Sequence, residues 1–429
     1  MLRPHARYAV LLLLLGLLLA ACAGDQNERP AQTATAGDGA RPSATATEAP
    51  GTAVVPEQVP AEYQAAYQDL LPRLEAARDG FAGHTAPEGA PSLAVELLTA
   101  NGNRGEDLLQ PATLEATRVF LDRFKELGAA AVTIQIVYPL FDEGFPRHDE
   151  YVDFYRAVVR EVRQRALLLL IETSAPFAGT EFSSLQVDYS GKTPEVYLRE
   201  RLDQARAIAH ELQPDYLSLA EEQTTERMLS GLDISDDAYL GFLRDARAAI
   251  DPPPGVRLGA GSGSWESPEL MQRIIAETPL DYVDIHVYPL SNGLTDYLGV
   301  ASKWAFAARA AGKEAVIGEA WLYKASAEEV QGGIGFAEVF GRDAYSFWEP
   351  LDVLFMQTVV ELGRASGVHF VSFFWSNYLF AYVDQAQVPP GLSTLELRQM
   401  SNAAAWRAVV GGELSAIGDE FRQLASQSP

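Results

Sequence analysis

Ala315-Val316-Ile317-Gly318-Glu319-Ala320-Trp321 is a short apolar run that delivers one carboxylate, with an indole two residues later. Gly312-Lys313 precede it and polar sequence follows, which is the pattern of a buried strand. A carboxylate at the end of such a strand either reaches solvent or is held there for a purpose, because an unpaired buried charge is costly. A second stretch has the same form: Pro214-Asp215-Tyr216-Leu217-Ser218-Leu219-Ala220-Glu221-Glu222. Two strand ends, each carrying a Glu and lying far apart in the chain, point to a paired-carboxylate active site.

Outward from these two places, strand-like runs alternate with segments of helical spacing. Strands are expected at Ser92–Leu98, Ala131–Val137, Leu167–Ile171, Tyr216–Ala220, Val256–Ala260, Tyr282–Val287, Ala315–Gly318 and Val368–Phe374. Helices are expected over 112–127, about 149–163, 194–212, 236–250, 268–276 and 296–311, with a longer, mainly helical stretch over 326–366 and a closing helix or helices within 402–425. In the first of these, Val119, Phe120 and Phe124 form the apolar stripe. Residues 61–81 also have helical spacing, with Tyr63, Tyr67, Leu70, Leu71 and Leu74 on one side, and read as an N-terminal extension packed on the domain. Eight strands alternating with helices imply an α/β fold, a (β/α)8 TIM barrel with a parallel sheet inside and helices outside. A doubly wound open sheet is the alternative. It would use fewer strands and show a Gly-rich phosphate turn, and Gly259-Ala260-Gly261-Ser262-Gly263-Ser264 does not complete the pattern Gly-x-Gly-x-x-Gly.

The beginning of the 429-residue chain is set apart from the fold. Arg3 and Arg7 precede an apolar run from Tyr8 to Ala21, too short to cross a bilayer as a stable helix. A basic start, an apolar stretch and small residues after it make a secretory signal. Leu19-Ala20-Ala21-Cys22 resembles the lipobox of bacterial lipoproteins. That resemblance implies a signal peptide over 1–21, a lipid on Cys22, and a membrane-anchored protein of the cell envelope facing outside the cytoplasm. The alternative is an ordinary signal with a Cys near its cleavage site. Cys22 is the single cysteine of the chain, so the mature protein can form no internal disulfide and its domain can use no thiol catalysis. From Ala23 to Pro60 there is no aromatic residue, and Ala, Thr, Pro and Gly dominate, so 22–60 reads as a disordered tether. The barrel then occupies 61–429. The formal charge of −25 becomes −27 when Arg3 and Arg7 leave with the signal. Such a surface repels phosphate backbones, and nucleic acid is not expected as a partner.

In a barrel of this kind the chemistry happens at the C-terminal ends of the strands. Strand one carries Glu96; strand three ends in Glu172, strand four in Glu221 and Glu222. Strand five is followed by Ser262, Ser264 and Trp265, and strand six ends in His286-Val287-Tyr288-Pro289. Strand seven ends in Glu319 before Trp321, and strand eight in Trp375-Ser376-Asn377-Tyr378. A Glu ending strand four, His-x-Tyr ending strand six, Gly-Glu-x-Trp at strand seven and a Trp ending strand eight resemble clan A glycoside hydrolases, over roughly residues 90 to 380. Within the clan the chain most resembles the arabinogalactan endo-β-1,4-galactanase group and its bacterial relatives. The resemblance implies a retaining glycosidase with Glu222 as acid/base and Glu319 as nucleophile, the acid's pKa raised and the nucleophile ionised. It implies Tyr288 hydrogen-bonding Glu319, His286 ordering the site, and a carbohydrate on the aromatic faces of Trp375 and Trp321. Glu96, Glu172 and Asn377 complete the candidate substrate-binding set. For each residue a plainer reading stands beside this one. Glu222 starts a loop in the acidic run Glu221, Glu222, Glu226; His286 is a core histidine; Tyr288 and Trp321 pack the barrel rim.

Two departures from the clan are visible. Its members usually carry Asn directly before the acid/base, where it contacts the sugar 2-hydroxyl, and here that place holds Glu221. Many carry an Arg near the end of strand two, and Ile136-Val137-Tyr138-Pro139 offers none. These departures motivate a second expectation, a non-catalytic glycan-binding lipoprotein on the same barrel. Six histidines without a His-x-His or His-Glu-x-x-His pair argue against a metal hydrolase, and Ser262 does not stand in a Gly-x-Ser-x-Gly elbow. No metal or other cofactor is expected.

Overall fold

The computed structural model describes residues 58–428 except Glu88. The expected signal peptide and all but the last residues of the expected tether lie outside the described residues. Eight parallel strands close on themselves in chain order. They are β1 Ser92–Glu96, β2 Ala131–Gln135, β3 Leu168–Glu172, β4 Tyr216–Ser218, β5 Arg257–Gly263, β6 Tyr282–Val287, β7 Glu314–Ala320 and β8 Phe370–Phe373. β8 pairs with β1 to complete the ring. This is the (β/α)8 barrel the alternation predicts.

The helices are α1 Ala61–Phe81, α2 Pro111–Glu126, α3 His148–Gln164, α4 Pro194–Leu212, α5 Gln223–Ser230, α6 Asp236–Ile250, α7 Pro268–Glu277, α8 Leu294–Ala310, α9 Ala327–Gln331, α10 Phe336–Arg342, α11 Glu349–Ser366, α12 Thr394–Gly411 and α13 Ala416–Ala425. Their starts are marked chemically. Thr193, Ser235 and Ser267 cap α4, α6 and α7, and proline opens α2, α4 and α7, where its missing N–H costs nothing. α1 packs on α11 and α8 as the expected extension. Two differences bear on the site. The stretch over 326–366 resolves into α9, α10 and α11. The polar segment after Glu222 forms α5, which lacks the apolar stripe that would announce it.

The interior is layered. Ala94, Ala131, Leu170, Tyr216, Tyr282, Val316 and Phe370 fill the N-terminal end as one apolar plug. Above it lies a polar layer, where Thr133 donates to Ser372 at 2.9 Å and the Gly318 amide donates to Asp284 Oδ1 at 2.9 Å. On β6 the inward positions are Tyr282, Asp284 and His286, every second residue, as a strand requires. The glycines of β5 serve this packing. A methyl at Gly259 would overlap the Tyr282 ring, and one at Gly263 the Trp265 ring.

β7 breaks the alternation at the position that matters. Val316 pairs with Asp284 and Glu319 with His286, so β7 spends one residue more than β6 over that interval. The same slip appears against β8, between Ile317–Val371 and Ala320–Phe373. Val316 and Gly318 face inward, and regular alternation would send Glu319 outward. The bulge returns it to the interior. Gly318 makes this possible, because a Cβ there would overlap the carboxyls of Glu172 and Asp284.

Gly318→Ala is therefore expected to destabilise the fold by about 1–3 kcal/mol through overpacking. Gly299→Ala, in α8 with open space around it, is expected to be neutral or to stabilise by about 0.5–1 kcal/mol. Urea denaturation of the two variants checks this, and equal midpoints would contradict the packing described.

Candidate active site

The C-terminal mouth of the barrel gathers carboxyls around one imidazole. His286 Nδ1 lies 2.9 Å from Glu222 Oε1 and 3.6 Å from Glu319 Oε2, and its Nε2 lies 3.4 Å from Glu172 Oε1. Tyr288 donates its hydroxyl to Glu319 Oε2 at 2.8 Å. Glu222 and Glu319 thus approach the same ring nitrogen from β4 and β7. Their oxygens can be no further apart than those two distances laid end to end. That limit is compatible with the ~5–5.5 Å of retaining glycosidase pairs and reaches only the lower edge of the ~6.5–9.5 Å of inverting ones.

Burial opposes charge on His286, but the carboxylates of Glu319 and Glu172 more than reverse this and raise its pKa well above the ordinary histidine value. The neighbouring carboxyls thus favour the charged form of the ring. Burial pushes Glu319 up, while the His286 charge and hydrogen bonds from Tyr288 and Glu172 hold it down. Burial raises Glu172 and Glu221 well above the carboxylate range, with His286 opposing it in both. The Glu319 side chain is 6% exposed and that of Glu222 21%, so of the two Glu222 is the one that still meets water.

Each carboxylate has its own support. Arg201, fully buried, donates to the carbonyls of Thr173 and Leu219 and so ties the ends of β3 and β4 together. It also pairs with Glu226, which accepts from Tyr197 at 2.5 Å and Tyr239 at 2.6 Å. Gln223 donates to the Gly261 carbonyl at 2.7 Å, and the Thr224 amide to Glu266 at 2.6 Å, which fastens the segment after Glu222 to the β5 side. Glu221 Oε1 accepts from the Thr173 amide at 3.3 Å.

A cavity of about 610 Å3 opens above these groups. Glu222, Glu319, His286, Tyr288, Trp375 and Asn377 all line it. Glu172 and Glu96 lie beneath the floor, fully buried. Glu172 faces His286, and Glu96 accepts from Asn101 Nδ2 at 3.2 Å. Trp321 is a correction. It is 1% exposed, stacked on Tyr378 at 5.8 Å with the Lys324 ammonium 5.1 Å from its ring centre. Lys324 is itself buried between Asp343 and Asp352, each at 2.6 Å. Trp321 therefore belongs to the wall behind the cavity and offers no face to a ligand. Sequence reasoning missed cavity residues in loops, on α10 and on α12, among them Arg104, Tyr323, Phe340 and Arg398. Among the further aromatics that line it, Trp265, Phe374 and Tyr378 stood at strand ends where a signal existed.

Glu172, His286 and Glu319 also form the one group of described residues able to converge on a metal ion, with ligand atoms within 4.8 Å of one another. Only a neutral imidazole offers a lone pair to a metal, so ligation there would require His286 to give up the proton that its carboxyl neighbours favour.

No protein-family model matches the sequence, and no curated protein matches it. Among solved structures, the fold is similar to a GH5_18 protein from Bifidobacterium longum subsp. longum. In its form without a named ligand the TM-score is 0.52 at 15% identity, over 79% of this chain and 79% of that one. The complex of that protein with Manβ1-4GlcNAc gives 0.51 at 14%, over 79% and 78%. An exo-β-1,4-mannosidase from an Opitutaceae bacterium gives 0.50 at 15%, over 80% of this chain and 61% of that one. At these identities the likeness is one of fold: the chain shares its barrel with glycoside hydrolase structures.

Proposed function

We propose that the protein is a retaining glycoside hydrolase acting on a β-linked oligosaccharide or polysaccharide. One observation carries the reading: two carboxyls from β4 and β7 meet across a single imidazole nitrogen under an aromatic cavity. In this mechanism the Glu319 carboxylate attacks the anomeric carbon while Glu222 gives its proton to the leaving oxygen. The covalent glycosyl ester on Glu319 is then opened by water, whose proton returns to Glu222. Tyr288 orients the nucleophile through Oε2, and His286 orients Glu222 through Nδ1. A sugar seated over Glu222 removes the remaining contact of that side chain, 21% exposed, with water. Trp375, Phe340 and Tyr323 supply flat faces for the neighbouring units.

The sequence resemblance puts galactans and arabinogalactans first among substrates, and the named structural relatives add β-mannosides. The lipobox-like Leu19-Ala20-Ala21-Cys22 supports a lipid anchor at Cys22 on the outer side of a membrane. Under that reading Cys22→Ser releases the protein from the membrane fraction, and a variant that stays with the membrane refutes the anchor. The second reading, a binding protein that does not cleave, is favoured by Glu221 in the place where clan members carry Asn.

The test is sugar release on galactans, arabinogalactans, mannans, xylans and β-glucans. The wild type is expected to release sugar from at least one. Glu319→Gln is expected to show no measurable turnover, and Glu222→Gln a loss of about 10²–10⁴-fold on substrates with poor leaving groups. Saturable binding without product would replace hydrolysis by the binding reading, and full activity of Glu319→Gln would remove that residue from the mechanism. Tyr288→Phe adds a pH test. Its hydroxyl favours the charged form of Glu319, so its loss raises the nucleophile's pKa. The acid limb of kcat/KM should then move to higher pH, and an unmoved limb contradicts the assignment.

A further inference from the structure

Two arginines line the cavity without a carboxylate of their own. Arg104 follows β1, and among the described residues no carboxylate stands within ion-pair distance of it. Its Nε is buried without a hydrogen-bond partner. Burial pulls its pKa down, and Asp107 and Tyr155 only partly restore it from a distance. Arg398, on α12, donates one long hydrogen bond of 3.4 Å to the Glu181 carbonyl and lies 4.4 Å over the Phe182 ring; no described carboxylate stands within ion-pair distance of it, and that of Glu181 acts on it only from further off. Burial lowers its pKa as well.

In this chain that is unusual. Acids outnumber bases by 58 to 33, and the other deeply placed arginines all hold carboxylates: Arg165 has Glu161 and Asp122, Arg201 has Glu226, and Arg342 has Glu329. A desolvated guanidinium with unused donors is costly to keep. The backbone around Arg104 is also fixed. Its carbonyl accepts from Ser184 Oγ at 2.8 Å, the Asn103 carbonyl accepts from the Ser184 amide at 3.1 Å, and Asn103 Oδ1 accepts from the Phe177 amide at 2.8 Å. The segment 177–184 therefore runs between the two arginines and touches both. The catalytic carboxyls enter from β4 and β7, while the arginines stand on the side of β1 and of α12, which follows β8.

We propose that this side of the cavity is an anion subsite, and that the natural glycan carries a carboxylate or a sulfate ester on a sugar unit near the one cleaved. Planar guanidinium forks match the oxygens of either group. The pairing would satisfy Arg104 and Arg398 only when substrate is bound, so it would select acidic glycans despite the negative charge of the protein as a whole. The inference rests on the glycan reading above.

The test uses Glu319→Gln protein, which leaves polymers intact, in affinity electrophoresis. The probes are glucuronoxylan, polygalacturonan and alginate beside their carboxyl-reduced forms, and carrageenan beside its desulfated form. At least one acidic polymer is expected to bind about tenfold or more tightly than its neutral counterpart. The uronate and sulfate arms tell the two anions apart. Adding Arg104→Gln and Arg398→Gln should erase the difference, with an unchanged melting midpoint showing an intact fold. Equal binding of acidic and neutral forms, no binding of any acidic polymer, or a preference that survives both substitutions overturns the subsite. Acid-selective binding without sugar release by the wild type would leave the subsite standing and remove the hydrolase. Release from neutral glycans alone would do the reverse.

Discussion

The upper end of the barrel is organised around the ring of His286. Glu172, Glu222 and Glu319 all face its ring, and Asp284 stands two residues before it on the same strand. Without a cation, so many carboxyls in a poorly solvated space would hold their protons, and none would be available as a nucleophile. The imidazolium is itself costly to bury, and Glu319 and Glu172 stabilise it. Charge on the ring and charge on Glu319 therefore require each other. Burial pushes Glu172 up while the His286 charge opposes it.

Such a cluster works only if the strand ends do not drift. Each is held by a different device. On β7 an extra residue turns Glu319 inward, and Gly318 leaves room for the carboxyls beside it. On β3 and β4 a buried guanidinium spans two carbonyls and is anchored by Glu226 and two tyrosines. After β7, Lys324 reaches Asp343, which follows α10, and Asp352 of α11, and so secures the wall containing Trp321. These buried ionic groups are weak as sources of stability, since desolvation offsets much of the attraction. What they provide here is position.

The barrel was legible because each strand is a short apolar run bounded by turn residues, and because eight such runs alternate with helical spacing. Several elements fall where the pattern put them: α4, α6 and β6 match to the residue. α5 was not legible, since its polar residues are held by contacts to β5 and to Arg201 that no local pattern reveals. That Glu222, Glu319, His286 and Tyr288 would stand at the mouth of the barrel could be expected from their places at strand ends; their roles came only from the resemblance to the clan. The inward turn of Glu319 could not, because strict alternation sends it the other way and only the pairing register exposes the bulge. Trp321 shows a second limit. An indole two residues beyond a carboxylate suits a sugar platform and a packed wall equally, and what decides is Lys324 with two aspartates from distant segments. Arg104 shows a third. In Asn101-Gly102-Asn103-Arg104-Gly105 it reads as an ordinary loop cation, and only the lack of a partner distinguishes it.

The central claim is that Glu319 forms a covalent bond to the sugar while Glu222 handles the proton. Intact-protein mass spectrometry after incubation with 2-deoxy-2-fluoro-β-glycosyl fluorides of the gluco, galacto and manno series tests it most directly. The account predicts a mass increase of one fluoroglycosyl group for the series whose parent glycoside is hydrolysed, with the label on the peptide containing Glu319. A label on Glu222 or another carboxylate, or hydrolysis that proceeds with no trapped adduct and releases the inverted anomer, would contradict it.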